Sequence, residues 1–396
     1  MKQHIFLASP HMSDEGYEKE FIKEAFDTNW IAPLGKNVTE FEKEMGKKLG
    51  ANDAVALSSG TAAIHMALKS AGVGQGDIVF CQSLTFSATA NPIAYEKAIP
   101  VFIDSDESTW NMSPSALRKA FDKYESMGNL PKAVLVVHLY GVCAHIEEIV
   151  EICNQYQVPL IEDAAESLGT TYKGKYTGTF GDYGIISFNG NKIITSSGGG
   201  MLLFNTRDAE EKAKKVLFWS TQARDTARWY QHSEIGYNYR MSNVVAGIGR
   251  GQLMVLEQRI EKKRYIFEYY RKHLGDLEGL TFMPQSSEER SNCWLTAVQL
   301  SDECKVKPID VQIALEKDDV ESRPVWKPLH LQPVFQNYDF ISDVSELCMI
   351  DGEMGADNSI AGTIFRRGVC MPSDSKMTDE DLQRICQVVE RLWKVG

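Results

Sequence analysis

The chain has 396 residues, 43% of them hydrophobic, and a formal charge of −12, enough to bury a large core and to divide into two domains. That charge, with no run of Lys or Arg, excludes a nucleic-acid surface, so any anionic ligand must be held by local groups. No apolar run approaches the roughly 18 residues of a membrane span, and M-K-Q-H-I-F-L-A-S-P lacks the apolar stretch and cleavage site of a signal peptide, so a cytoplasmic location is expected. The eight cysteines form no C-x-x-C, which points to free thiols and suggests neither a zinc site nor a disulfide framework.

In chain order, residues 14 to 28 predict a helix, with Tyr17, Phe21, Ile22 and Ala25 at spacings of three to four behind Ser13 and Asp14. N-W-I-A-P-L-G-K, residues 29 to 36, is a loop by its Pro33 and Gly35. Trp30 and Ile31 are too apolar for a mere linker, leaving Trp30 either a buried loop anchor or a ligand contact. From residue 54 short apolar runs alternate with amphipathic helices, the pattern of a mostly parallel sheet with helices on both faces. Strands are expected at Ala54 to Leu57, Ile78 to Cys81, Pro100 to Ile103, Ala133 to Val137, Pro159 to Ile161, Tyr183 to Phe188 and Met201 to Phe204. Helices fit at Ala62 to Ala71 and at about 88 to 97, 113 to 125, 145 to 156 and 207 to 219. Near residue 250 the alternation stops, and one long helix, Gly249 to Leu274, leads to a smaller α+β region that ends in a helix from Asp379 to Trp393. The expected fold class is α/β, with a large domain over 1–250, including an N-terminal arm, and a small α+β domain over 251–396. A ligand cleft between two such domains is common.

Four stretches carry chemistry. In S-S-G-T-A-A, residues 58 to 63, a strand turns into a helix; Gly60 admits close approach, Thr61 offers a hydroxyl, and the first-turn N–H groups favour a phosphate. An ordinary N-cap explains the same residues. In P-L-I-E-D-A-A-E-S, residues 159 to 167, carboxylates close a buried strand, where open α/β sheets bind ligands, and Asp163 is the one to single out. A carboxylate aimed at a pyridine nitrogen keeps it protonated, although a helix-dipole acid is the plain alternative. In L-T-F-S-A-T-A-N, residues 84 to 91, Phe86 follows a strand and could stack on a flat ring or pack in the core. In I-I-S-F-N-G-N-K-I-I-T-S-S-G-G-G-M-L, residues 185 to 202, Lys192 sits in a polar loop between apolar runs, with Ser187 five residues before it. A held lysine is a nucleophile toward carbonyls, as in Schiff bases with pyridoxal phosphate; a solvated lysine in a glycine-rich turn is the bland alternative.

Together with G-Y-N-Y-R-M-S at 236 to 242, these motifs run in order over nearly the whole chain, which resembles the DegT–DnrJ–StrS family of sugar-nucleotide aminotransferases. The resemblance implies a fold type I architecture, pyridoxal 5'-phosphate as cofactor, and a homodimer. It implies that Lys192 is the Schiff-base lysine and that Asp163 partners the pyridine nitrogen. Gly60, Thr61 and Ser187 would hold the phosphate and Phe86 would stack on the ring, with Glu166 and Ser167 near the cofactor hydroxyl and substrate. Asn238 matches a residue that reaches into the neighbouring subunit's site. Many members have His or an aromatic residue where this chain has Asn189, and G-E-G-G where it has Ser197 to Gly200. With the early W-I-A-P-L-G-K and R-P-V-W-K-P-L-H-L-Q-P-V-F at 323 to 335, these features resemble the branch that aminates C4 of UDP-2-acetamido-4-keto-6-deoxy sugars, as in bacillosamine synthesis, with L-glutamate as donor. Arg323, Lys327 and His330 are the candidates to neutralise the diphosphate, with Trp30 a further substrate candidate; no metal is implied. The alternatives are an aminotransferase acting at C3 or C4 of a dTDP-keto-deoxysugar, and a ligand-sensing regulator on the same fold. The family's dehydratase variant, with histidine in place of the lysine, is disfavoured by Lys192.

Overall fold

The computed structural model describes residues 3–350 and 355–395. Its centre is an eight-stranded sheet in the spatial order Asp53–Leu57, Gly200–Phe204, Tyr183–Ser187, Leu160–Asp163, Ala133–Val137, Ile78–Gln82, Ile99–Ile103, Phe340–Ile341. Gly200–Phe204 is antiparallel to both its neighbours, and every other pairing is parallel. Ala133–Val137 is buried throughout, as a strand covered on both faces must be. Its residues alternate between two cores: Ala133, Leu135 and Val137 pack with Ile64, Met66 and Leu68, whereas Val134 and Val136 pack with Leu117, Phe121 and Ile149. Each such Val, Leu, Ile, Met or Phe side chain removed from water contributes about 1.5–3 kcal/mol.

The second sheet has four strands in the order Leu280–Phe282, Thr296–Leu300, Gly368–Met371, Arg323–Pro324, all antiparallel. Val298, Leu300, Val369 and Met371 from this sheet form one core with Ile266, Tyr270 and Leu315, and with Leu382 and Ile385 from the last helix, Asp379–Val395. Among the described residues no helix is long and apolar enough to cross a membrane.

Four local expectations change. The long helix over 249–274 is two helices, Asn243–Met254 and Leu256–Leu274, because Val255 leaves helical geometry and its N–H turns to the carbonyls of Gln252 and Leu253. No Gly or Pro marks the break. Gly249 and Gly251 let the first of these helices press against its neighbours, since a Cβ would come within 2.6 Å of the Phe41 ring and 2.5 Å of the Glu18 amide. The expected helix over 88–97 is a 3-10 turn, Ser87–Thr89, and a five-residue helix, Asn91–Tyr95, with Pro92 in its first turn. Lys36–Leu49, to which no element was assigned, is a helix burying Val38, Phe41, Met45 and Leu49 at spacings of three and four. Finally, Phe340–Ile341 returns from the C-terminal third of the chain to the edge of the large sheet beside Phe102 and Ile103.

Candidate functional site

The parallel strands of the large sheet end together, and the loops and helix that follow them enclose a cavity of about 430 Å³. Gly60, Thr61, Phe86, Asp163, Glu166, Ser187 and Lys192 all line it. They follow or close four strands, Asp53–Leu57, Ile78–Gln82, Leu160–Asp163 and Tyr183–Ser187, so the sheet brings together residues far apart in sequence.

The helix Gly60–Ser70 aims its first turn into this cavity. Ser59 caps it by accepting from the Ala62 amide at 3.0 Å, and the amides of Gly60 and Thr61 open the helix with no partner inside it. The Ser187 side chain closes in on this turn: a Cβ on Gly60 would meet Ser187 Cβ at 3.1 Å and Oγ at 3.4 Å. Gly200 makes the approach possible from the other side, since a Cβ there would run into the Ser59 carbonyl carbon at 2.3 Å. Backbone donors, a helix N-terminus and one hydroxyl are a donor set that suits a phosphate.

Adjacent residues of one strand divide the carboxylates by the two-residue period of the strand. Glu162 is fully buried and accepts from the amides of Gly178 at 2.8 Å and of Phe180 and Gly181 at 2.6 Å, with His138 Nε2 at 2.9 Å. It is a structural anchor. Asp163 faces the cavity, where the Thr89 hydroxyl donates to one oxygen at 2.9 Å and the Ala165 amide to the other at 3.1 Å. Burial pushes its carboxyl above the usual carboxylate range, and the Thr89 hydroxyl, the Ala165 amide and the Lys192 ammonium pull it back. A buried acid so placed is complementary to a cationic ring nitrogen.

Lys192 lies in the loop before the three glycines, its Nζ 3.5 Å from Oε1 of Glu166 and 4.1 Å from the centroid of the Trp294 ring. The other Glu166 oxygen accepts from the Tyr140 amide at 2.8 Å, and Tyr140 holds a left-handed conformation, φ 53°, to present that amide. Burial raises the Glu166 carboxyl, and the Lys192 ammonium opposes the rise. Lys192 is therefore held, only 13% exposed, between a carboxylate and an aromatic face. The Phe86 ring is 53% exposed at the mouth, 5.4 Å from the Trp326 ring, so it is a free aromatic surface and not core.

Six candidates lie outside the cavity lining. Ser167 is fully buried, its hydroxyl paired with that of Thr177 at 2.8 Å. Asn238 is exposed in an isolated bridge to Thr221. Trp30 is 51% exposed and not a buried anchor; its carbonyl accepts from Asn243 Nδ2 at 2.7 Å. Arg323 is exposed, 3.8 Å from Glu321, and Lys327 is partly buried. His330 is built into the scaffold: Nδ1 meets Ser83 Oγ at 2.6 Å, Nε2 meets Asp357 at 3.0 Å, and the ring stacks on Phe340 at 3.6 Å. With both ring nitrogens engaged, His330 has none left for a diphosphate in this conformation. Sequence reasoning missed Thr89, Trp294 and Trp326, which also line the cavity. Trp326 stands inside the quoted R-P-V-W-K motif, while nothing local marks Trp294, whose role arises only when the second sheet docks.

Residues 13–390 match the model of the DegT/DnrJ/EryC1/StrS aminotransferase family. The chain is 51% identical over 393 residues to EpsN of Bacillus subtilis (strain 168), provisionally named a pyridoxal phosphate-dependent aminotransferase, covering 99% of this chain and 97% of that one. It is 33% identical over 378 residues to a GDP-perosamine synthase of Escherichia coli O157:H7, covering 96% of each. The crystal structure of a DegT DnrJ EryC1 StrS aminotransferase from Brucella abortus is similar with a TM-score of 0.84 at 27% identity, over 96% of this chain and 95% of that one.

Proposed function

From the premise that the chain belongs to the DegT/DnrJ/EryC1/StrS family of pyridoxal phosphate-dependent sugar aminotransferases, we propose that it aminates C4 of a UDP-2-acetamido-4-keto-6-deoxy sugar, with L-glutamate as donor. The observation that carries the chemistry is the convergence of Lys192, Asp163 and the first turn of Gly60–Ser70 on one cavity. The UDP and C4 assignment rests on the N-G-N-K, S-G-G-G and R-P-V-W-K-P-L-H motifs.

When bound, the cofactor supplies a carbonyl carbon for amine exchange and a ring that takes up electrons. In this reading Gly60, Thr61 and Ser187 hold its phosphate, Phe86 stacks on its ring, and Asp163 keeps a proton on the ring nitrogen. Lys192 would anchor it and, when its amine is free, would hold and move a proton at Nζ. Glu166 and Trp294 keep that amine inside the cavity. The overall exchange would turn L-glutamate into 2-oxoglutarate and the keto sugar into its amino sugar. Arg323 and Lys327 supply the positive charge that a diphosphate requires on a chain of net charge −12, with Trp30 a further contact to the substrate. The exposed Asn238 suits a residue that completes the site of a second copy, so the working unit is a homodimer. In this reading residues 1–250 supply most of its cofactor-binding domain and 251–396 most of the smaller one, with Phe340–Ile341 crossing back to the large sheet, and the product is a UDP-4-amino-4,6-dideoxy-N-acetylhexosamine made in the cytoplasm for glycan synthesis.

The relationship to a GDP-perosamine synthase favours a second reading, a GDP-linked keto sugar. The test is to charge the protein with L-glutamate, remove the excess, and follow the visible spectrum as UDP-, dTDP- and GDP-linked 4-keto-6-deoxy sugars are added separately. Recovery of the starting spectrum with the UDP-N-acetyl sugar alone supports the assignment. Recovery only with a GDP or dTDP sugar discards it while keeping the chemistry, and a Lys192→Ala protein that still turned over would remove both.

A further inference from the structure

The amine of Lys192 is flanked by the Glu166 carboxylate at 3.5 Å and the Trp294 ring at 4.1 Å, two groups far apart in sequence. One side chain joins the residues that carry them. Asn292 is fully buried, and its Nδ2 donates to the carbonyls of Glu166 and Leu168, each at 3.0 Å. Its Oδ1 accepts from the Trp294 amide at 2.9 Å. Both N–H groups and the oxygen of the side-chain amide are thereby used, and two of the three bonds go to the residues that flank the lysine.

Asn292 is itself held in place. Its backbone N–H donates to Thr170 Oγ1 at 3.0 Å, and that hydroxyl donates to the Gly141 carbonyl at 2.8 Å. The Ser291 hydroxyl donates to the same carbonyl at 2.7 Å. Gly141 follows Tyr140, whose N–H bonds the second oxygen of Glu166, and it has no room for a side chain: a Cβ would lie 2.0 Å from Asn292 Oδ1. Contacts this close fix the Asn292 amide, and with it the spacing between the turn that carries Glu166 and the loop that carries Trp294. Asn292 does not line the cavity, and its three side-chain partners are all backbone groups. Its effect on the chemistry must therefore pass through the groups it holds.

We propose that Asn292 is a positioning residue that sets the spacing of Glu166 and Trp294 and so keeps the Lys192 amine where it can attack the carbonyl carbon of the cofactor; this rests on the reading of Lys192 as the cofactor lysine. In that attack the Nζ lone pair forms the bond to carbon, and the carbonyl oxygen leaves as water with the two protons of the amine. An amine displaced by an ångström loses much of this reactivity. A phosphate bound at the first turn of Gly60–Ser70 does not depend on where the lysine lies.

The experiment titrates the cofactor-free protein with pyridoxal 5'-phosphate and with pyridoxine 5'-phosphate, which carries an alcohol in place of the aldehyde and cannot bond the lysine. It uses the wild type, Asn292→Ala and the milder Asn292→Ser, whose hydroxyl can keep one hydrogen bond, with thermal unfolding to verify that each is folded. The wild type is expected to bind the aldehyde more tightly. Asn292→Ala is expected to weaken pyridoxal phosphate roughly tenfold and to leave pyridoxine phosphate unchanged, with Asn292→Ser in between. Asn292→Ser carries the same comparison should Asn292→Ala not fold. An equal loss for both ligands, or a loss for neither, overturns the role of Asn292 and leaves Lys192 standing as the cofactor lysine. No preference for the aldehyde in the wild type overturns both. In a Lys192→Ala background the Asn292 substitutions are expected to change neither affinity; a loss of pyridoxal phosphate there shows that Asn292 acts on the pocket and not through the lysine, which also overturns the proposal.

Discussion

The amine of Lys192 rests 4.1 Å from the centroid of the Trp294 ring, and the same indole donates its N–H to the carbonyl of Asn191, the residue before the lysine. Trp294 thus fixes both ends of the Lys192 side chain: the backbone from which it springs and the face over which its amine lies. A cation over a desolvated indole gains about 0.5–2 kcal/mol, less over phenyl. Trp294→Phe keeps a ring and removes the N–H, so it should cost about 1 kcal/mol of stability and lower kcat roughly tenfold with KM for the sugar little changed. Steady-state kinetics beside thermal unfolding tests this. A rise in KM with unchanged kcat would show that Trp294 serves substrate binding instead.

Asp163 separates stability from function. Its carboxyl is raised above the ordinary value by burial, so the folded chain binds a proton more tightly than the unfolded one. Stability should therefore fall as pH rises from the unfolded value, about 3.9, through the raised folded value. Asp163→Asn removes that penalty. The cofactor-free variant should be no less stable than the wild type at pH 7, while the loaded variant loses kcat by about a hundredfold or more. Thermal melts of both forms against pH check the sign; a cofactor-free variant that melted well below the wild type at pH 7 would contradict it.

Glu162, one residue earlier, should behave in the opposite way. Its oxygens satisfy three backbone amides and face His138, all inside the core. Glu162→Ala leaves those donors unpaired and should cost about 3–5 kcal/mol. Urea denaturation measures this loss, and an unchanged midpoint would mean that water or rearrangement replaces the carboxylate.

Gly60→Ala probes the proposed phosphate cradle. The new methyl would press on Ser187 Cβ at 3.1 Å, so Ser187 must give way by a few tenths of an ångström. Affinity of the cofactor-free protein for pyridoxal phosphate should drop roughly tenfold, with the melting temperature nearly constant, because the helix itself accepts Ala well. Fluorescence titration with the cofactor reads the effect directly.

Local chemistry was legible in the chain itself. The strands from Ala54 to Phe204 could be placed because buried parallel strands are short continuous apolar runs, and Lys192, Asp163 and Gly60 stood out because each interrupts such a pattern at its end. The break at Val255 and the edge strand Phe340–Ile341 were not legible, since neither carries a breaker or a periodic signal and both depend on what packs against them. The same holds within the site. That Glu162 turns into the core and Asp163 into the cavity follows from which face of the strand meets the loop 178–181. That His330 is tied to Ser83 and Asp357, and that Trp294 and Trp326 reach the cavity, was decided by docking the second sheet against the first. Sequence determines which residue types stand at strand ends, because hydrophobic periodicity is local. Only the tertiary structure decides which of them share a cavity, because burial, hydrogen-bond partners and aromatic contacts are made between segments that sequence spacing does not relate.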